Sequence, residues 1–574
     1  MIDNYPGWAR ELAQKYLSRT VSQFLLHGNV HDLVPVGTEG KRSFQRLKKF
    51  LSDELFGARD VVIFYDRATG IYFRDEESRK DFNRAVSGRD TLIGTEIAGK
   101  IPKDPVRAFS VLEQYLRLRL DQKRSIALII DYGETIVPMN EAGTSGAEDR
   151  NALVYLLRWA HDPLFLAADF TTVLLSENLA DLNKTLIQNP HNAEIRIPIP
   201  GENERLDFIR NEIPAEEYDD YSAVDAQVLA RQTAGLNLIH IRSILAGAKE
   251  NRSPVTFERL TQVKKEMIEA EAYGLLEFVE TSNNLDSVAG HKSVKEHLRQ
   301  AVQALKQGRE DVLPMGYLIC GPVGTGKTWL VTCFAGEVGI PMVRLKNFRS
   351  QWQGVTEGNL EKILNILKAM SPVAVMIDEA DAYLGDRSST GDSGVSSRVF
   401  SQIASFMSDT SNRGRILWFL MTARPDLMPV DLKRQGRAEE HLALFPPSTE
   451  EERREVFEAM KKKTGLVMTE KHLPSVIVNG KKVFSGADME AALTRAKFRA
   501  AAQGKIKVTP EILEETLENF LSPSYPEEVE LQTLNAVIEC TSRELLPQEY
   551  RDADRAELMQ RIAELEMQIG VSPV

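Results

Sequence analysis

Eight consecutive residues near the middle of the chain have the types and spacing needed to hold a triphosphate. They follow the pattern G-x-x-x-x-G-K-T and are Gly321, Pro322, Val323, Gly324, Thr325, Gly326, Lys327 and Thr328. Backbone amides of such a loop can converge on phosphate oxygens because glycine carries no side chain to block the approach. Lys327 can reach the β- and γ-phosphates, and the Thr328 hydroxyl can hold Mg²⁺. The pattern therefore predicts a site for a nucleoside triphosphate with Mg²⁺.

Two acidic residues farther along the chain supply the second half of this chemistry. The apolar run 372–377 predicts a buried strand, and it ends in Asp378 and Glu379. A carboxylate at the end of a strand beside the phosphate loop can hold Mg²⁺ through water, so we expect Asp378 to join Thr328 at the metal. The adjacent carboxylate can orient and deprotonate the attacking water, and we assign this catalytic role to Glu379.

A phosphate loop must lie between a buried strand and a helix whose N-terminus points at the phosphates. Residues 315–320 form a short apolar run that predicts the strand, and residues 329–334 predict the first turns of the helix. We include Trp329, at the start of that helix, among the nucleotide-binding residues. Residues 414–421 predict a further buried strand, which leads into Thr422. The fold class expected from this order is α/β, of the P-loop NTPase type.

From about residue 284 to 521 the sequence resembles the AAA family of the AAA+ ATPases. It is most similar to the clade that contains katanin, spastin, FtsH and valosin-containing protein. The resemblance rests on the phosphate loop, on Asp378 and Glu379, and on the segments 285–290, 345–354, 422–437 and 484–488. It implies ATP as the nucleotide, a three-layer αβα core followed by a helical lid, and a ring of identical subunits, usually a hexamer.

The same resemblance assigns roles to residues on either side of the core motifs. Val288 and Ala289 lie in a stretch similar to the one that touches adenine, and Gly486 and Ala487 open a helix similar to the family's second sensor. Trp352, followed two residues later by glycine, resembles the aromatic residue of the first pore loop, which grips a substrate in the central channel. The alternative for this residue is a tryptophan of the hydrophobic core.

Arg434 and Arg437 resemble the paired arginine fingers that act on the nucleotide of a neighbouring subunit; the alternative is a basic surface loop.

One position departs from the family pattern. The family places an asparagine, the first sensor, where this chain has Ala423, and alanine cannot hydrogen-bond. The Thr422 hydroxyl is the candidate to replace it, and we expect slow hydrolysis if it does not.

Residues 1–265 repeat the strand and helix order of the second half, with a lid at about 201–265. Within this half, the pattern of residues 43–51 predicts a helix. Asp131 and Tyr132 stand where the second half has Asp378 and Glu379, and no G-K-[ST] follows the first strand. We interpret this half as a degenerate AAA-like module that does not hydrolyse ATP, loosely like uncharacterised AAA proteins of cyanobacteria and plastids. The alternative is an unrelated α/β domain.

The remaining boundaries follow from shifts in composition. We place a linker at 266–283, the AAA core at 284–445, the lid at 446–521 and a C-terminal helical tail at 522–574. The tail carries an apolar stripe, Leu558, Ile562, Leu565 and Ile569, that predicts docking on its own subunit or contact with a partner helix.

Composition narrows the class of function. The net charge of −12 argues against a nucleic-acid motor, and the three cysteines predict neither disulfides nor a zinc site. There is no apolar run long enough to span a membrane and no signal sequence at the N-terminus, so we expect a cytoplasmic protein. The leading hypothesis is an ATP-driven remodeller of an unnamed protein client, and the alternative is a nucleotide-gated scaffold with slow hydrolysis.

Overall fold

The computed structural model describes residues 5–18, 21–38, 42–93, 101–139, 147–272, 274–279, 283–307, 309–346, 357–384, 395–480, 482–521 and 525–570. The chain forms two compact units. The first is Met1–Tyr273 together with Gln353–Ala369, and the second is Gly274–Trp352 together with Met370–Val574. No helix among the described residues combines the length and the apolar character needed to cross a membrane.

The first unit contains a six-stranded sheet in the order β5-β4-β6-β7-β1-β8 and a hairpin, β2-β3. Its strands are β1 (Gln23–Gly28), β2 (Leu33–Val36), β3 (Ser43–Arg46), β4 (Val61–Asp66), β5 (Gly70–Phe73), β6 (Ile126–Ile130), β7 (Phe170–Ser176) and β8 (Asn192–Ile197). All pairings in the large sheet are parallel except β4 with β5. The central strands β4, β6 and β7 are buried along their whole length, as expected when helices cover both faces of a parallel sheet.

The second unit contains a six-stranded sheet in the order β14-β10-β13-β12-β11-β9. Its strands are β9 (Leu276–Phe278), β10 (Gly316–Cys320), β11 (Met342–Leu345), β12 (Val373–Ile377), β13 (Ile416–Thr422) and β14 (Glu440–Ala443). Again one edge strand, β9, is antiparallel and the others are parallel. In each unit, the parallel strand that comes first in the chain lies in the sheet between the parallel strands that come fourth and fifth in the chain. These are β1 between β7 and β8 in the first unit, and β10 between β13 and β14 in the second. This repeated order confirms the predicted fold class, two α/β modules of the AAA+ type in tandem.

Helices cover these sheets and form a bundle after each one. In the first unit they are α1 (Gly7–Leu17), α2 (Leu47–Lys49), α3 (Glu76–Ile93), α4 (Pro105–Asp121), α5 (Ala147–His161), α6 (Pro163–Ala167), α7 (Lys184–Ile187), α8 (Glu202–Glu212), α9 (Tyr218–Tyr221), α10 (Ala226–Gln232), α11 (Leu238–Glu250) and α12 (Phe257–Glu271). The segment from α8 to α12 is the lid of this unit. The sequence prediction places this lid at about 201–265, and the helices extend from Glu202 to Glu271.

The second unit has helices α13 (Lys292–Lys306), α14 (Lys327–Val338), α16 (Ala380–Leu384), α17 (Val395–Met407), α18 (Val430–Lys433), α19 (Glu450–Thr464), α20 (Ser475–Asn479), α21 (Gly486–Ala502), α22 (Pro510–Asn519), α23 (Pro526–Glu539), α24 (Gln548–Arg551) and α25 (Arg555–Ile569). Between them in sequence, α15 (Glu357–Met370) groups with the first unit up to residue 369. Capping explains where the lid helices start: the Thr449 hydroxyl accepts from Glu452 N, and the Ser485 hydroxyl accepts from Asp488 N.

Two segments differ from the sequence prediction. Residues 43–51 have a helical pattern, yet Ser43–Arg46 is a strand that pairs with β2, and helical structure begins only at Leu47. The reason is tertiary, since the Phe44 ring packs edge-on against Phe208 of the lid, with the ring centres 5.0 Å apart. Leu276–Phe278, placed in the linker, is the edge strand of the second sheet.

The C-terminal tail packs on the second unit. Ala536, Val537 and Cys540 belong to the same hydrophobic core as β10 and α14. Leu565 of α25 is fully buried against Leu531 of α23, so the predicted apolar stripe is used inside the unit. All three cysteines are buried and free.

Candidate nucleotide site

The phosphate loop links the end of β10 to the start of α14 and depends on its glycines at two positions. Gly321 has a φ of 138°, and a Cβ there would lie 2.1 Å from the Leu444 carbonyl oxygen. A Cβ on Gly324 would lie 2.8 Å from the Ser485 side chain, at the start of lid helix α21. At Gly486 the added Cβ would be 3.7 Å from the nearest atom, which is ordinary contact. The glycine that allows close approach of loop and lid is therefore Gly324.

Lys327 is held at the base of this loop. Its Nζ donates to the carbonyl oxygens of Gly321 and Pro322, at 2.7 and 3.0 Å. Burial lowers the pKa of Lys327 to about 8, because a buried ammonium group loses its hydration. Carbonyl oxygens do not balance a full positive charge, so a phosphate group would be a better partner. This geometry fits an anionic ligand at the loop.

The two predicted metal-site residues are in direct contact. The Thr328 hydroxyl donates to the Asp378 carboxylate at 2.9 Å, which joins the start of α14 to the end of β12. Hydroxyl and carboxylate oxygens are the ligands that Mg²⁺ prefers. The adjacent Glu379 has an exposed side chain and a left-handed backbone with a φ of 50°. Its N–H donates to Asp378 at 3.0 Å, which fixes the turn after the strand.

These residues line one wide cavity of about 780 Å³. Around it lie Lys327, Thr328, Trp329, Asp378, Glu379, Asp381, Thr422, Ala423, Arg424, Gly486, Ala487 and Gln532, with others from the lid. A second, smaller cavity of about 100 Å³ adjoins it and includes Val288, Ala289 and the apolar residues Val456 and Met460. The two cavities share Gly324 and Trp329, so they can form one elongated site with a polar and an apolar part.

Trp329 and His291 connect the apolar part to the loop. Trp329 is 41% exposed, and its Nε1–H donates to the Ser287 carbonyl at 3.2 Å. His291 Nε2 lies 3.1 Å from the Thr325 carbonyl, and burial lowers the pKa of the imidazole. The sequence prediction did not include His291. Its only sequence signal is its position one residue after the stretch expected at adenine.

The end of β13 shows how the substituted sensor position is built. Thr422 is 1% exposed; its hydroxyl donates to Asp381 at 2.7 Å and accepts from Arg424 N at 2.8 Å. The hydroxyl proton is thus already committed to a carboxylate. Ala423 lines the cavity and offers no polar side-chain atom. Sequence reasoning assigned no role to Asp381, although it lies three residues after Asp378.

The two predicted finger arginines have different surroundings. The Arg434 side chain is 59% exposed and has Asp431 at 3.3 Å. Arg437 is 9% exposed as a residue; it donates to the Ser408 hydroxyl at 3.1 Å and to the Asp431 carbonyl at 2.8 Å. Burial, together with the charge of Arg434, lowers the pKa of Arg437. In this chain Arg434 is the arginine available to another molecule.

Helix α23 of the tail contacts both the phosphate loop and the segment that carries the two arginines. The Gln532 side-chain oxygen accepts from Val323 N, in the phosphate loop, at 3.1 Å. Seven residues later, Glu539 accepts from Lys433 Nζ at 2.9 Å and lies 3.0 Å from His441 Nδ1. Lys433 precedes Arg434 directly. Sequence reasoning missed both contacts because they join positions about 100 residues or more apart.

Comparison with known proteins agrees with this geometry. A family model described as "ATPase family associated with various cellular activities (AAA)" matches residues 317–445, which contain the loop, β12 and β13. Residues 317–445 therefore form an AAA ATPase domain. Two further models match the first half: "AAA+ chaperone, N-terminal Rossmann-like domain" over 2–198 and "AAA+ chaperone, second helical domain" over 203–273.

Three relatives share 25–28% identity with this chain. A cell division cycle protein 48 homolog of Archaeoglobus fulgidus is 25% identical over 77% of this chain and 67% of its own length. The uncharacterized AAA domain-containing protein ycf46 of Trieres chinensis is 27% identical over 50% of this chain and 58% of its own length. An ATP-dependent zinc metalloprotease FtsH of Pelobacter propionicus is 28% identical over 41% and 39%. The match therefore covers less than two thirds of the latter two relatives.

The first unit repeats two backbone turns of the site in the second unit but carries different residues beside them. Gly28, at the end of β1, has a φ of 98°, and a Cβ there would lie 2.6 Å from the Ile197 carbonyl, as at Gly321. The Asp32 carboxylate, 3% exposed, then accepts from the backbone N–H groups of Leu238 and Ile239, at 2.9 and 3.1 Å. An acidic side chain thus caps the lid helix α11.

The carboxylate at the end of β6 is also neutralised. Asp131 forms an ion pair with Lys48, and Tyr132 follows it with a φ of 53°, close to that of Glu379. The turn is retained, but tyrosine cannot accept a proton from water as a carboxylate can. These contacts favour the interpretation that the first unit does not hydrolyse ATP.

The structure brings most predicted site residues together. The two adjoining cavities are bordered by residues 323–328 of the phosphate loop and by Trp329, Asp378, Glu379, Thr422, Val288, Ala289, Gly486 and Ala487, but not by Gly321 or Pro322. Arg434 and Arg437 are not among the residues that line them. Trp352, the expected pore residue, lies outside the described residues.

Proposed function

We propose that this AAA ATPase works as a closed ring of identical subunits that remodels a protein substrate, with Trp352 gripping the chain in a central pore. The observation that carries the proposal is the exposed Arg434. It stands on the second unit, yet it is absent from the residues around the unit's own cavity. An arginine that completes the site of the next subunit would have this placement.

The described residues suggest how hydrolysis would proceed. The loop amides and Lys327 would hold the β- and γ-phosphates, and Thr328 and Asp378 would hold Mg²⁺, which neutralises phosphate charge when bound. Glu379 would take a proton from water as the water oxygen bonds to the γ-phosphorus. The bond from that phosphorus to the β–γ bridging oxygen breaks, releasing ADP and phosphate. Arg434 of a neighbouring subunit would stabilise the charge that develops.

A trapped variant tests the ring and the catalytic base together. Glu379→Gln keeps the size of the side chain but removes the base, so we expect ATP to bind without turnover. The trapped protein should run as a closed oligomer in sedimentation with ATP and as a smaller species without it. Full turnover by this variant, or a monomer at saturating ATP, would contradict the proposal. Glu458→Gln, on the outer face of α19, is a matched control.

The pore role is tested separately. Trp352→Ala should keep ATP turnover and lose the unfolding of a tagged model substrate, whereas Trp352→Phe keeps an aromatic grip and should retain it. Unchanged unfolding by Trp352→Ala would remove the pore from the proposal.

A second candidate is a nucleotide-gated scaffold, in which ATP sets assembly and turnover is incidental. Ala423 and the committed Thr422 hydroxyl favour it, because neither offers a free donor to the γ-phosphate or the water. Steady-state turnover separates the two. Stimulation by an unfolded polypeptide supports the remodeller, and slow turnover that no polypeptide stimulates supports the scaffold.

A further inference from the structure

The substituted sensor position leaves the site without the side-chain amide that the resemblance implies. Ala423 cannot hydrogen-bond, and the Thr422 hydroxyl donates to Asp381. A site that cleaves a phosphate bond gains from a positioned donor, because such a donor stabilises negative charge without reorganising water. Another side-chain amide does reach the same cavity, from α23 of the C-terminal tail.

That amide belongs to Gln532. The residue lines the cavity that contains Lys327, Asp378, Glu379 and Ala423. Its Oε1 accepts from Val323 N at 3.1 Å, which fixes one end of the amide on the phosphate loop. An amide carries its acceptor and its two donors on opposite atoms. With Oε1 turned to the loop, the Nε2 group is the half that remains to donate to a ligand.

Helix α23 is anchored well enough to hold such a group in place. Leu531 and Leu534, on either side of Gln532 in sequence, are 1% and 5% exposed. Ala536 and Val537 pack in the core of the second unit with β10, the strand that leads into the phosphate loop. A side chain on a packed helix is held more precisely than one on a surface loop.

We propose that Gln532 is a positioning residue for ATP hydrolysis, its Nε2 amide donating to the γ-phosphate or the attacking water in place of the missing sensor asparagine. This inference rests on the proposed function of the second unit as an ATPase site. It gives the tail a part in the chemistry that its sequence does not reveal. It also explains how the site could turn over with alanine at position 423.

Two substitutions separate this role from a structural one. Gln532→Glu keeps an oxygen for Val323 N but loses the donor and adds negative charge, while Gln532→Ala loses both contacts. A positioning role predicts that both variants lower kcat about 10- to 100-fold with little change in the KM for ATP. A purely structural anchor predicts that Gln532→Glu turns over like the wild type. Thr533→Ala, on the same helix and away from the cavity, is the control.

The decisive experiment restores asparagine, the family's residue, at position 423. In the Gln532→Ala background, Ala423→Asn should recover most of the lost kcat, since an amide returns to the cavity from β13. Failure of this rescue in a double variant of wild-type thermal stability would overturn the proposal.

A binding measurement tests the residue independently of turnover. ADP with aluminium fluoride and Mg²⁺ mimics the transition state of γ-phosphoryl transfer, whereas ADP alone has no group at the γ-phosphate position. Titration calorimetry should give Gln532→Ala the wild-type affinity for ADP and about 10-fold or more weaker affinity for the mimic. Equal loss for both ligands would refute the assignment. If the wild type binds the mimic but proves inactive, the proposed function fails while this arm still tests Gln532.

Discussion

The unequal surroundings of the two finger arginines lead to opposite expectations for their removal. Arg434→Ala removes an exposed side chain, so the free energy of unfolding should change by no more than about 0.5 kcal/mol. Turnover should fall about 10³- to 10⁵-fold, the usual effect of a lost arginine finger. Arg437→Ala breaks two hydrogen bonds of a buried guanidinium, to Ser408 and to the Asp431 carbonyl. This loss should destabilise the protein by about 2–4 kcal/mol.

Mixing variants tests whether Arg434 acts on another subunit. Glu379→Gln keeps Arg434, and Arg434→Ala keeps Glu379, so neither pure protein can complete a site. In a 1:1 random mixture, half of the sites have Glu379, and half of these face an intact Arg434. We therefore expect about one quarter of wild-type turnover, whatever the number of subunits in the closed ring.

The assay is steady-state phosphate release after the mixed subunits have exchanged at low nucleotide concentration. A mixture no more active than its pure components would refute action in trans. Chemical denaturation of each variant measures the free energy of unfolding and tests the expected difference in stability. Arg437→Ala with wild-type stability, or Arg434→Ala with a large loss, would contradict the packing described here.

Three further predictions follow from single residues. ATP affinity should fall as pH rises through about 8, because Lys327 loses its charge there in the free protein while bound phosphate favours the charged form. Calorimetry in two buffers should detect proton uptake on ATP binding above pH 8. An ATP affinity that does not change with pH would contradict this prediction. Nucleotide should change the fluorescence of Trp329, which is 41% exposed at the site, whereas Trp8, Trp159 and Trp418 are buried; Trp329→Phe should abolish the change, and its persistence would place the signal elsewhere. Asp32→Ala should lower stability by about 1–3 kcal/mol, since two backbone N–H groups lose their acceptor, and Asp32→Asn should lower it less; equal thermal shifts for the two would argue against the cap.

The sequence was sufficient to predict the parts of the site whose residues lie close together in the chain. The phosphate loop, β10 and α14 lie within about 25 consecutive residues, and their glycines and apolar runs predict both the structure and the ligand class. The strand ends at Asp378 and Thr422 were also predictable, because parallel strands present their carboxyl ends at one edge of a sheet.

Sequence reasoning failed where distant segments decide the outcome. Ser43–Arg46 has a helical pattern but is a strand because it pairs with β2 and packs on the lid. Gln532 is an ordinary glutamine in an amphipathic helix, and only the fold brings it to Val323. The difference between Arg434 and Arg437 is likewise invisible in a motif that treats them as a pair, because it depends on Ser408 and on the backbone at Asp431.

Helix α23 has a mechanical consequence for the whole second unit. Gln532 and Glu539 are two turns apart on one face, about 10.5 Å along the axis, with the first on the phosphate loop and the second on the lysine beside Arg434. A rigid rod fixed at both points transmits any shift of the loop to the arginine segment. A protein truncated before residue 526 would lack this connection between the phosphate loop and the arginine segment, even if it still bound ATP.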